Sequence, residues 1–308
     1  MKVTQIAIRN ITRQKKRSIL LGGAIAFGVM IITLIGSFSQ GLANTASSNF
    51  TDMLGGQLYV TGQELTDTGN PVSVLRDREV LEEALLRIDE RIVERTHRSR
   101  VFGEIIFGSK TTSFSIEGVD WAEEPKLIEG LAIHAGTVSA SMPANALVVP
   151  EYTAEDIGVE VGETVLVRTS TVTGQQNVAE FQIQAITVGD SMFSFSSSYA
   201  EKSYLNGVIG LEEEDYQVLN LALARPTSAA AATDQLLTYL RSIGRAEPEA
   251  EEEEGMAGMR SRMMNMASLM GGSGFFSSNV EEEDRWEGTR FSVLNINDMM
   301  ESITSMVN

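Results

Sequence analysis

At 308 residues, 43% of them hydrophobic, the chain is long enough to bury a sizeable core, which excludes a disordered stalk. It carries 24 Lys and Arg against 42 Asp and Glu, and no cysteine. Disulfides and thiolate metal sites are therefore excluded, and an acidic surface of this kind repels nucleic acid and anionic lipid alike.

In chain order, Arg9, Arg13, Lys15, Lys16 and Arg17 precede 21 uncharged residues, Ser18 to Phe38. At about 1.5 Å of rise per residue, such a run reaches roughly 30 Å, the thickness of a bilayer's hydrocarbon core. A cleaved secretory signal has an apolar stretch of only about 7–15 residues, so 18–38 reads as a retained membrane helix. The cations before it place residues 1–17 in the cytoplasm, against lipid headgroups or a cytoplasmic partner, and the remainder outside. Gly22, Gly23, Gly28 and Gly36, with Ala24 and Ala26, leave small faces suited to packing against other helices. Residues 1–17 hold six cations and no acid, which leaves 18 bases against 42 acids, a balance of −24, for everything that follows.

"GQLYVTG" (56–62) reads as a strand. Leu81, Ala84, Leu85, Ile88 and Ile92 then recur at helical spacing, with Asp77 as N-cap, and "RVFGEIIFG" (100–108) gives a second strand. From 110 to 210 the pattern is strand-like between Gly, Pro and Asn breaks, with only "EYTAEDIGV" (151–159) helical. "YQVLNLALA" (216–224) is a strand, 227–244 a helix stopped by Gly244, and "TRFSVLN" (289–295) another strand. Two strand-helix-strand units thus flank a β-rich block. The expected class is α+β: one N-terminal transmembrane helix, then a two-lobed domain. Residues 44–108 and 215–295 form an α/β lobe, and 109–214 a β-rich lobe inserted into it.

Residues 247–284 are longer than an ordinary connection and biased to Glu and Met, so they read as an insertion. Met256, Met259, Met263, Met266 and Met270 step by 3, 4, 3 and 4, which places them on one helical face. Thioethers suit Cu(I), but unbranched Met side chains also mould to irregular surfaces, and a face for a partner or cargo is the preferred reading. Residues 295–308 begin a further helix, with Asn295 as candidate cap and an apolar stripe from Ile296 to Val307.

Other signals carry no chemistry. "GEIIFGSKT" (103–111) nearly spells a phosphate loop, but Lys110 comes one position late and a strand follows it where a helix is needed. His97 and His134 lack ligand-type partners at metal spacing. No Gly-x-Ser-x-Gly nucleophile turn is present, and Glu82/Glu83 and Glu123/Glu124 read as solvated charge.

At the N-terminus, "AIRNITRQKKRSILLGGAIAFGV" resembles the opening of ABC transporter permeases of the MacB, lipoprotein-releasing and FtsX type. "SIEGVDWAEEPKL" followed by "ALVVPEYTAEDIGVEVGETVLVR" resembles their extracytoplasmic domain, and together the likeness covers most of residues 5–225. The resemblance implies a non-catalytic inner-membrane permease subunit without cofactor, paired with a separate cytoplasmic ABC ATPase and a second permease subunit, the same or related. Such complexes extrude drugs or toxins, release lipoproteins, or regulate cell-wall hydrolases. The family's other three membrane helices would follow residue 308, so the chain reads as an N-terminal fragment. The rival reading is a signal-anchored envelope protein that binds a ligand or partner without transport.

Overall fold

The computed structural model describes residue 16 and residues 20–37, 55–188, 198–247 and 285–295. Residues 1–50 and 51–308 form two separate units. In the first, helix α1 (Leu20–Ser37) has a mean hydropathy of 2.2, and is long and apolar enough to cross a membrane. Its apolar side chains are solvent-facing along its length, and Thr33 Oγ1 returns a hydrogen bond to the Val29 carbonyl.

The second unit begins with β1 (Leu58–Leu65), β2 (Pro71–Ser73), α2 (Arg78–Leu85) and β3 (Ile92–Phe107), and closes with β10 (Val218–Leu223), α6 (Ala229–Ser242) and β11 (Arg290–Asn295). These build one layer, in the order β11-β1-β10-β3 with every neighbouring pair antiparallel. Helix α2 joins β1 to β3, and α6 joins β10 to β11, so each strand-helix-strand unit straddles a strand of the other, a split β-α-β arrangement. Alternate strand residues Leu58, Val60, Leu219, Leu221, Phe291 and Val293 face the helices, which return Leu81 and Leu85 from α2, and Leu236 and Leu240 from α6. That is the period of 2 meeting the period of 3.6 across one apolar seam.

Between β3 and β10 the chain forms β4 (Lys110–Val119), α3 (Pro125–Gly130), β5 (Ile133–Gly136), β6 (Ala146–Pro150), α4 (Glu151–Ile157), β7 (Thr164–Ser170), β8 (Gln176–Thr187), β9 (Ser198–Glu201) and α5 (Lys202–Ile209). Following the pairings round, β3 bonds β4, β4 bonds β9, β9 bonds β6, β6 bonds β8, β8 bonds β7, and β7 returns to β3. The ring is a closed six-stranded barrel, which leaves none of these strands with a free edge. Its interior is filled by Ile105, Ile116, Leu147, Val149, Val165, Val167, Phe181 and Ile183, while α4 contributes Ala154 and Ile157, and α5 contributes Leu205 and Ile209. A smaller cluster around Trp121, Val148 and Tyr199 packs against Leu127 of α3.

Several expectations need correction. The helix expected through Ile92 ends at Leu85: Ile88 is buried in the turn that follows, and β-branched Ile92 and Val93 open β3. Asp77 makes no capping hydrogen bond; its carboxylate instead accepts the Thr289 N–H at 2.8 Å and pairs with Arg245 at 3.0 Å. Strand β3 starts eight residues before the expected 100, because it serves two sheets in succession. Helices α3 and α5 lie within the stretch that the sequence pattern reads as strand. Helix α3 buries a single residue, Leu127, and α5 follows directly on strand β9, so neither shows a helical stripe distinct from the strand-like pattern around it.

Candidate functional site

Strand β3 is where the layer and the barrel meet. Residues from Ile92 to Arg98 pair with β10, and Ser99 to Phe107 pair with β4. Side chains alternate along the strand, so Arg98 and Arg100 point to one face at this crossing and Ser99 to the other.

On the first face, Arg98 is completely buried. Its Nη1 donates to Glu117 Oε2 at 2.7 Å, its Nη2 to Glu124 Oε2 at 2.5 Å, and its Nε to the same Glu124 carboxylate. Arg100 Nε lies 3.3 Å from Glu117 Oε1, so two guanidiniums and two carboxylates balance in one buried cluster. Glu117 comes from β4, directly opposite Arg100 in the register. Glu124 is placed by a turn in which the Asp120 carboxylate accepts the Ala122 and Glu123 N–H groups, and Pro125 then opens α3. Burial opposes the Arg98 charge, but Glu124 and Glu117 outweigh it and push the pKa up; burial raises the Glu124 carboxyl against the pull of Arg98. The neighbouring Tyr59 and Tyr199 phenols are held well above their usual range by burial.

Beside this cluster Thr96 and Asn220 pair in register across β3 and β10. Gly55 closes over them with φ +80°, where an added Cβ would sit 2.7 Å from Thr96 Oγ1 and 3.1 Å from Asn220 Nδ2. Only glycine accepts both the dihedral and the approach.

On the second face, Ser99 Oγ donates to Asn206 Oδ1 of α5 at 2.5 Å. The Asn206 amide then holds the loop leading to β10, donating to the carbonyls of Glu212 at 3.0 Å and Asp215 at 2.7 Å. The Asp215 carboxylate accepts Nη2 of Arg76 at 2.7 Å, and the Glu212 N–H at 3.2 Å. Gln217 completes the joint: its N–H donates to the Arg98 carbonyl at 3.1 Å and its Oε1 accepts the Arg100 N–H at 2.7 Å.

Next to this loop lies a polar cleft of about 420 Å³, lined among others by Arg78, His97, Glu123, Glu201, Lys202 and Tyr216. His97 stacks edge-on to Tyr216, with ring centroids 4.6 Å apart. Burial first, then the Lys202 and Arg78 charges, lower its pKa to about 4, so the imidazole is neutral near pH 7.

Of the residues singled out by sequence, Lys16 is helical and exposed. Arg9, Arg13, Lys15 and Arg17 lie outside the described residues, as do Met256, Met259, Met263, Met266 and Met270. Lys110 sits on the β3–β4 hairpin opposite Phe107, and its Nζ donates to the Asp156 carbonyl at 3.0 Å, so the near-motif is a strand turn. His134 is exposed, 3.4 Å from Glu151. No group of three His, Cys, Asp or Glu among the described residues is placed to hold a metal ion. The reading of Glu124 as solvated charge is wrong: its carboxylate is buried on Arg98. Glu117 was also missed, and its available signal is an acid inside the apolar strand "FSIEGV".

A family model described as the MacB-like periplasmic core domain matches residues 18–255. Among solved structures, the periplasmic region of MacB from Actinobacillus actinomycetemcomitans is similar, with 12% identity, coverage of 84% of this chain and 98% of that one, and a TM-score of 0.42. The extracellular domain of the noncanonic ABC-type transporter YknZ from Gram-positive bacteria matches at 11% identity, covering 60% and 94%, with a TM-score of 0.39. A domain described as that of a permease protein from Porphyromonas gingivalis matches at 11% identity, covering 80% and 94%, with a TM-score of 0.37. No curated protein sequence matches the chain.

Proposed function

Because the chain belongs to the family of the MacB-like periplasmic core domain, matched over residues 18–255, we propose that it is the membrane-anchored extracytoplasmic part of an ABC transporter permease. In this reading α1 crosses the inner membrane, Arg9, Arg13, Lys15, Lys16 and Arg17 lie on the cytoplasmic side, and the layer and barrel lie outside. The subunit is non-catalytic. A separate cytoplasmic ATPase drives it, a second permease subunit completes the membrane part, and the work done is export or lipoprotein release. Residues 44–108 with 215–295 are one lobe and 109–214 the other; the layer's apolar interior draws only on the first set, whereas the barrel's also takes Val101 and Ile105 from β3, and Val72 and Val74 from β2 and the residue after it. The acidic insertion at 247–284 offers its methionine face to a partner or cargo.

The observation that carries this reading is the pairing of Leu58 with Asn295. The first residue of β1 and the last of β11 lie side by side, so the layer receives the chain and returns it at one edge. That suits a domain inserted between two membrane helices. A reporter active only outside the cytoplasm, fused after Asn49, should report activity. The chain purified from detergent-extracted native membranes should bring an ABC ATPase subunit with it. Recovery as a soluble protein starting near Asn44 or Ser47, or as a membrane complex lacking any nucleotide-hydrolysing subunit, would contradict the proposal.

A further inference from the structure

The chain passes between the layer and the barrel twice, once inside β3 at residues 98–99 and once through the 210–217 loop from α5 to β10. A hinge needs at least one crossing whose backbone is free to absorb a change in dihedral angles. Neither crossing is free. At the first, the backbone is bonded on both sides, to β4 through the Ser99–Gly118 and Arg100–Glu117 registers, and to the β10 side through Gln217. At the second, Asn206 grips the loop from within the barrel while Arg76 grips Asp215 from the layer.

We propose that this joint makes the layer and the barrel one rigid body. The Arg98–Glu117–Glu124 cluster fixes their angle on one face of β3, and the Ser99–Asn206–Asp215–Arg76 chain fixes it on the other. A displacement of the layer at the edge where its two chain ends meet then turns the barrel as a whole. The chemistry explains why the joint is polar. Apolar contacts are non-directional and tolerate sliding, whereas a guanidinium shared between two carboxylates from different segments has one arrangement that satisfies every donor. Rigidity of the joint is a property of the domain alone, so it stands or falls separately from the permease role.

The absence of cysteine from the chain makes the test direct. Spin labels on Gln235→Cys in α6 and Val178→Cys in β8, both exposed positions, report the distance between layer and barrel in the full chain held in detergent. The labelled parent should give one narrow distance distribution. Adding Arg98→Met and Glu124→Leu removes a balanced charge pair while keeping apolar volume, so the protein should stay folded while the distribution broadens about twofold. A broad or two-peaked distribution in the parent would overturn the proposal, as would an unchanged narrow one in the folded variant. If that variant fails to fold, Asp215→Asn loosens the second crossing, and must broaden the distribution for the proposal to survive.

Discussion

The layer and the joint lie along the same strand yet are held in different ways. The layer closes mainly on leucine, valine and alanine from two helices and four strands, whereas the joint closes on buried Arg98, Arg100, Glu117, Glu124, Ser99, Asn206, Asp215 and Gln217, with Arg76 at its rim. Apolar burial scales with area and is indifferent to small rotations; a buried ion cluster is costly to desolvate and returns that cost only in one geometry. With the joint rigid as proposed, stability and orientation come from separate parts of this molecule. The layer's seam supplies stability, and the joint supplies angle.

The comparison breaks first at Arg98. Replacing it with alanine leaves Glu124 without its principal cation, in a site that is only 3% exposed, and should destabilise the protein by about 3–5 kcal/mol in a chemical-denaturation series. The Arg98→Met, Glu124→Leu pair should return to within about 1 kcal/mol of the parent, because matched apolar groups replace a matched ion pair. If the pair is as damaging as the single change, the cluster contributes stability and the division of labour is wrong. Leu236→Ala, in the layer's seam, should cost about 2–4 kcal/mol by the same measurement while leaving the layer-to-barrel distance unchanged.

A smaller effect sharpens the boundary. The His97 pKa falls from 6.5 in the unfolded chain to about 4 in the fold, so the unfolded state takes up a proton first as pH drops. His97 therefore contributes stability that is fully present above pH 6.5 and lost as pH falls towards 4. The groups facing it are Lys202, Arg78 and Arg95, which oppose its charge, and Glu82, which favours it. Between those limits the parent should lose about 3 kcal/mol more than a His97→Asn variant, measured as unfolding free energy against pH. Equal acid sensitivity in the two proteins would place His97 in a solvated site. Smallest of all, Lys110→Ala should shift stability by less than about 0.5 kcal/mol and leave nucleotide binding undetectable before and after, since Lys110 only reaches a carbonyl across a hairpin.

The layer was legible because its signals are local. Leu81, Ala84 and Leu85 in α2, and Ala232, Leu236 and Leu240 in α6, repeat within one or two turns of each other, and the strands alternate between them. Barrel closure was not, because it depends on β7 returning to β3 across 60 to 66 positions, and alternation tells which residues face inward without telling which strand is the neighbour. The joint failed to register for a different reason. A Glu-Glu-Pro turn and an Arg-Ser-Arg strand each look like ordinary surface taken singly, and only the fold brings Glu124 onto Arg98.

Amide hydrogen exchange of the full chain at residues 98–101 and 215–217 tests the rigid joint most directly. A joint without a hinge opens only when the domain unfolds. The Ser99, Arg100 and Gln217 amides should therefore exchange as slowly as those of Leu219 and Leu221 in the layer, and respond to denaturant with the same slope. Faster, denaturant-independent exchange at 98–101 while Leu219 and Leu221 stay protected would show that the two parts part company at β3.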